Sequence, residues 1–119
     1  MNWNMDKERP ICPQLCELVC VGISNGEFPP GSRLLSVRDL AVVAGINPNT
    51  VQKSFTELER LGLIYSVRGT GWFVGENTAL AKETVCRIAE NKTAEYVSEM
   101  KKLGMTADEI YNYIKENNV

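Results

Sequence analysis

The chain has 119 residues, 44% of them hydrophobic and 24% charged, enough for one small core with an appendage but not for two full domains. A formal charge of -2 and a sequence pI of about 5.2 argue against a nucleic-acid partner held by net charge, so the distribution of charge matters more than its sum. Histidine is absent, as are a C-x-x-C pair and a glycine-rich phosphate loop, so no catalytic residue, metal site or cofactor is expected.

The first ten residues, MNWNMDKERP, have neither a basic n-region nor an apolar h-region, and no apolar run approaches membrane-spanning length. A cytoplasmic protein with no membrane partner is expected. Trp3 lies in a segment without periodicity and stays unassigned. The first predicted helix has a core stripe of Ile11, Leu15, Leu18, Val19 and Ile23, with Cys12, Cys16 and Cys20 drifting from its edge toward solvent. Cys86 lies far downstream. The cysteines admit two readings. In one, Cys12 and Cys16 pack as small apolar groups. In the other, the thiols form a metal site or redox switch completed by Cys86 or a second subunit. The missing histidine favours the first, and four reduced thiols suit a cytosolic compartment.

LLSVRDLAVVAG predicts a short second helix. Ser36 and Asp39 give the S-x-x-D start, Val37, Leu40, Ala41 and Ala44 the apolar face, and Gly45 the stop. INPNTVQKSFTELERLGLI predicts a third, with Asn47 as N-cap, Pro48 where a missing N–H costs nothing, and Val51, Phe55, Leu58 and Leu61 on the buried stripe. Asn49, Thr50, Gln52 and Lys53 then fall on or beside the solvated face. They form a donor-rich set suited to base edges and phosphates, with no carboxylate until Glu57. Two helices meeting at Gly45-Ile46 make a helix-turn-helix, in which the second enters the major groove.

After Gly62, LIYSV and WFV read as strands joined by Arg68-Gly69-Thr70-Gly71, a hairpin whose basic tip can reach a phosphate or the minor groove. Strand alternation should turn at least one of Trp72 and Phe73 inward. From Gly31 to Val74 five basic residues (Arg33, Arg38, Lys53, Arg60, Arg68) face three acidic ones (Asp39, Glu57, Glu59). So modest a basic face implies weak binding by one copy and a gain from pairing two.

From Thr78 a helical stripe runs through Ala81, Val85, Ile88, Ala89, Tyr96, Met100 and Leu103, broken by Lys92. Gly104 ends it, and Thr106-x-x-Glu109 opens a last helix carrying Ile110, Tyr111 and Ile114. Two short amphipathic helices cannot bury both stripes against each other. The tail therefore packs either on the rest of the chain or on the same tail of a second copy.

The run PPGSRLLSVRDLAVVAGINPNTVQKSFTELERLGLIYSVRGTGWFV, with Pro10-Ile11 and Gln14-Leu15 upstream, resembles the DNA-binding domain of the GntR family of bacterial transcription regulators. Residues 77–119 resemble the brief two-helix tail of its YtrA subgroup. Leu35 stands where the family usually has proline, and Thr70 where its wing is often basic. The resemblance implies a mainly α fold with a small β-hairpin: a winged helix-turn-helix domain at 1–76 and a helical-hairpin dimerisation tail at 77–119.

The resemblance also carries DNA contacts onto this chain. They fall on Ser36 and Arg38, on Asn47, Pro48, Asn49 and Thr50, on Gln52 and Lys53, and on Arg68, Gly69 and Thr70 of the wing. Arg38 faces the groove, and Ser36 caps its helix while a neighbouring N–H reaches a phosphate. Gln52 is suited to adenine, Lys53 to phosphate, and Asn49 and Thr50 to either; Pro48 fixes the helix start. The expected function is that of a dimeric repressor on a double-stranded inverted-repeat operator, which kinship connects with transporter operons. No effector is assigned. The alternatives are a winged helix that docks a protein, or a thiol-based sensor of metal or redox state.

Overall fold

In the computed structural model, which describes residues 1–118, the chain runs α1 (Ile11–Ser24), α2 (Val37–Ala44), α3 (Pro48–Arg60), β1 (Ile64–Val67), β2 (Gly71–Val74), α4 (Ala79–Lys102) and α5 (Ala107–Asn118). This is the expected mainly α winged helix with one antiparallel hairpin and two further helices. Local chemistry sets the boundaries. Ser36 Oγ accepts the Asp39 N–H at 3.0 Å to start α2, and Gly45 ends it at φ 67°, where a side chain would be strained. Asn47 Oδ1 accepts the Asn49 N–H at 2.8 Å, and Pro48 opens α3 with a φ already suited to a helix.

The strands pair Ile64 with Val74, Tyr65 with Phe73, Ser66 with Trp72 and Val67 with Gly71, which leaves Arg68-Gly69-Thr70 as the tip. The Thr70 N–H donates to the Val67 carbonyl at 2.9 Å and closes it. Alternation turns Trp72 against the core, edge-on to Phe55 at 5.4 Å, whereas Phe73 stacks on Tyr65 at 5.8 Å. The stretch from Gly31 to Leu34 covers the other edge of β2. Leu34 N–H donates to the Trp72 carbonyl at 2.9 Å, and Val74 N–H to the Ser32 carbonyl at 2.9 Å.

The chain divides into two compact units, Met1–Val85 and a second beginning at Cys86. In the first, Leu15, Val19 and Ile23 of α1, Leu40 of α2, and Val51, Phe55 and Leu58 of α3 are buried together with Leu63, Ile64 and Val74. Ala81 and, in part, Leu80 also join this core, which is why the compact unit extends past Gly75 into the first turns of α4.

Two expectations are corrected, and one unassigned residue finds its place. Leu61 is 40% exposed, because α3 ends at Arg60 and Gly62 turns the chain at φ 78°; Leu63, 2% exposed, fills the place instead. The cysteines drift inward along α1, not outward, with Cys12 and Cys16 half-buried and Cys20 3% exposed. Trp3 is a core residue whose ring stacks on Phe28 at 5.9 Å.

In the second unit, Gly104 at φ 89° follows α4, and the predicted capping box opens α5. The Glu109 N–H donates to Thr106 Oγ1 at 3.2 Å, and the Thr106 N–H donates to Glu109 Oε1 at 3.1 Å. The Thr106 backbone N–H first, and its hydroxyl second, hold the Glu109 carboxyl below its ordinary range. Ile110 is 4% exposed, yet Leu103, Tyr111, Tyr113 and Ile114 lie open to solvent.

Candidate nucleic-acid interface

Three exposed ends carry the residues singled out from the sequence. Ser36 and Arg38 stand at the cap and second residue of α2; Asn47, Pro48, Asn49, Thr50, Gln52 and Lys53 occupy the cap and first turns of α3; Arg68, Gly69 and Thr70 form the hairpin tip. All are exposed except Ser36 and Thr50, which are half-buried. Helix α3 packs on α1, α2 and β1, so these ends are held by one core.

The underside of α3 shows how its outer face is kept polar and presentable. Ser54 is fully buried, and its hydroxyl donates to the Thr50 carbonyl at 2.8 Å, so no polar group is stranded beneath the helix. On the outside, the Asn47 side-chain oxygen is used for capping, while its amide NH2 has no partner among the described residues and remains a donor. Gln52 Nε2 makes only a long bond of 3.4 Å to Thr56 Oγ1, so it turns readily to another acceptor.

Not all the basic residues are equally available. Arg60 is engaged by Glu57 through bonds of 2.9 and 2.6 Å, which hold the Glu57 carboxyl below its ordinary range. Arg38, Lys53 and Arg68 make no hydrogen bond or ion pair with any described residue, so their charges are available to a polyanion.

A further cation went unassigned in the sequence. Arg33 lies against the base of the wing, and a side-chain carbon built on Gly71 would sit 3.1 Å from Arg33 Nε. Gly71, at φ 142°, leaves room for the guanidinium. A glycine within a strand pattern was the one signal of such a close approach.

The Cys16 thiol is chemically quiet. Cys16 Sγ donates to the Ser54 carbonyl at 3.7 Å, and burial, reinforced by Cys12, pushes its thiol up to about 12, so it stays protonated at neutral pH. Among the described residues no three His, Cys, Asp or Glu side chains are placed to hold a metal ion, and no helix is long and apolar enough to cross a membrane.

Comparison with known proteins gives this arrangement its context. Residues 16–74 match the family described as bacterial regulatory proteins, gntR family. The HTH-type transcriptional repressor YtrA of Bacillus subtilis is 37% identical over 114 residues, which cover 90% of this chain and 83% of that one. A solved structure of a GntR family transcriptional regulator from Listeria monocytogenes superposes with a TM-score of 0.79 at 36% identity, covering 94% of this chain and 98% of that one. The AraR DNA-binding domain in complex with operator ORX1 shares 28% identity and a TM-score of 0.55 over 60% of this chain and 87% of its own.

Proposed function

Because the chain belongs to the GntR family of bacterial regulatory proteins and is therefore a DNA-binding transcription regulator, we propose that it acts as a homodimeric, YtrA-like repressor on an inverted-repeat operator. The observation that carries this reading is the start of α3, where exposed donors from Asn47 to Lys53 project from a helix anchored by Val51, Phe55 and Leu58. In this reading α3 enters the major groove, Arg38 reaches into the same groove, and Arg68-Gly69-Thr70 follows the adjacent backbone. Regulation of a transporter operon is part of the proposal and rests on kinship alone.

Charge and the tail both support the dimeric reading. A chain of net charge -2 with three freely available cations at the interface binds a polyanion weakly, so two linked copies are needed for a tight complex. Ala89, Thr93, Ala94 and Val97 share an open face of α4, where small side chains allow close approach of another helix. The exposed Tyr111, Tyr113 and Ile114 of α5 add apolar surface. A second copy supplies a matching surface by symmetry.

Two substitutions on α3 test the division of labour. Gln52→Ala is expected to relax sequence preference more than it lowers affinity, because base edges carry sequence. Lys53→Ala is expected to weaken binding evenly across operator variants and to reduce the salt slope by about one per subunit, because phosphates carry charge. Titration of a panel of operator variants at several salt concentrations reads both. Equal losses across the panel for Gln52→Ala would put that residue on the backbone.

A further inference from the structure

The segment ahead of α1 is tied to the rest of the first unit at several points, although the family match begins only at residue 16. Trp3 is buried against Phe28. Gln14 reaches back from α1: its Oε1 accepts the Asp6 N–H at 2.8 Å, and its Nε2 donates to the carbonyls of Asp6 and Pro10, each at 2.9 Å. Arg9 Nε donates to the Asp6 carboxylate at 3.1 Å. Residue 7 is thus held in place by its neighbours on both sides.

From there Lys7 Nζ donates to the Gly45 carbonyl at 2.8 Å and to the Ala44 carbonyl at 3.1 Å. Those carbonyls end α2, where a helix leaves acceptors without partners and carries partial negative charge. They also bound the turn leading to the Asn47 cap of α3. An ammonium at this point neutralises the helix end and bridges the turn.

We propose that Lys7 is a positioning residue for operator binding: by clamping the turn between α2 and α3 it fixes the direction in which α3 presents Asn47 to Lys53. The inference rests on the DNA-binding reading and deepens it, because Lys7 acts through the turn and not through DNA. Burial of Trp3 and the Gln14 bonds make the clamp part of the folded unit.

The test compares the full-length wild type with Lys7→Met and Lys7→Arg on a duplex selected by the wild type. Lys7→Met is expected to bind roughly five- to tenfold more weakly with an unchanged salt slope, since a residue outside the contact surface alters coupling without neutralising a phosphate. Amide exchange from Ile46 to Val51 is expected to speed up in the same variant. Lys7→Arg, which also donates to paired carbonyls, is expected to restore most of the affinity. Full affinity for Lys7→Met, unchanged exchange in the turn, or a salt slope reduced by about one per subunit would each overturn the inference, the last by making Lys7 a phosphate contact. A wild type that selects no duplex overturns the DNA-binding reading instead, and the clamp with it.

Discussion

Truncation after Val85 is expected to leave a folded monomer that binds a full operator roughly a hundredfold or more less tightly than the intact chain. The fold should survive because Met1–Val85 holds its own core, including Leu80 and Ala81 of α4. A cut after Gly75 would remove those two residues and confuse loss of dimerisation with loss of stability. What disappears beyond Val85 is the small-residue face of α4 and the exposed aromatic residues of α5. Without them each half-site is bound independently, and the gain in effective concentration from joining two modules vanishes. Sedimentation and operator titration read the two effects separately. A truncated chain that still sediments as a dimer would move the interface to the winged helix or to the segment ahead of α1.

Arg38→Ala is expected to abolish most specific binding while leaving the thermal midpoint unchanged. Arg38 is exposed and makes no hydrogen bond or ion pair with any described residue, so the folded state loses nothing by its removal. One groove contact is worth about 1–3 kcal/mol, and a dimer loses two, so affinity should fall by roughly thirtyfold or more. The measurement is a gel or fluorescence titration of the variant after circular dichroism has shown that it is folded. An Arg38→Ala protein that shifts the operator as well as wild type does would remove Arg38 from the interface.

What the sequence makes legible here is what local chemistry decides. Ser36, Gly45, Asn47, Pro48, Thr106 and Glu109 each act on backbone groups within a few residues, so helix boundaries can be read before any tertiary contact is known. The polar set on α3 is legible for the same reason, because the apolar repeat through Val51, Phe55 and Leu58 fixes which face is left over. Leu61 shows the limit of that repeat: the spacing continues one residue past the point where the helix stops. Trp3, Arg33 and Lys7 were not legible. Their places depend on Phe28, Gly71 and the end of α2, which are distant in sequence, and no periodicity marks such pairings. The inward drift of Cys16 and Cys20 follows from how α1 crosses α3, which a helical wheel does not contain.

Under the proposed function, two copies of this chain recognise a specific symmetric duplex. The most direct test is selection of bound sequences from random double-stranded DNA by the intact protein at moderate salt. Recovery of an inverted repeat with half-sites about one helical turn, or a multiple of it, from centre to centre is the predicted result. Recovery of no preferred sequence, or of a single half-site without symmetry, would contradict it.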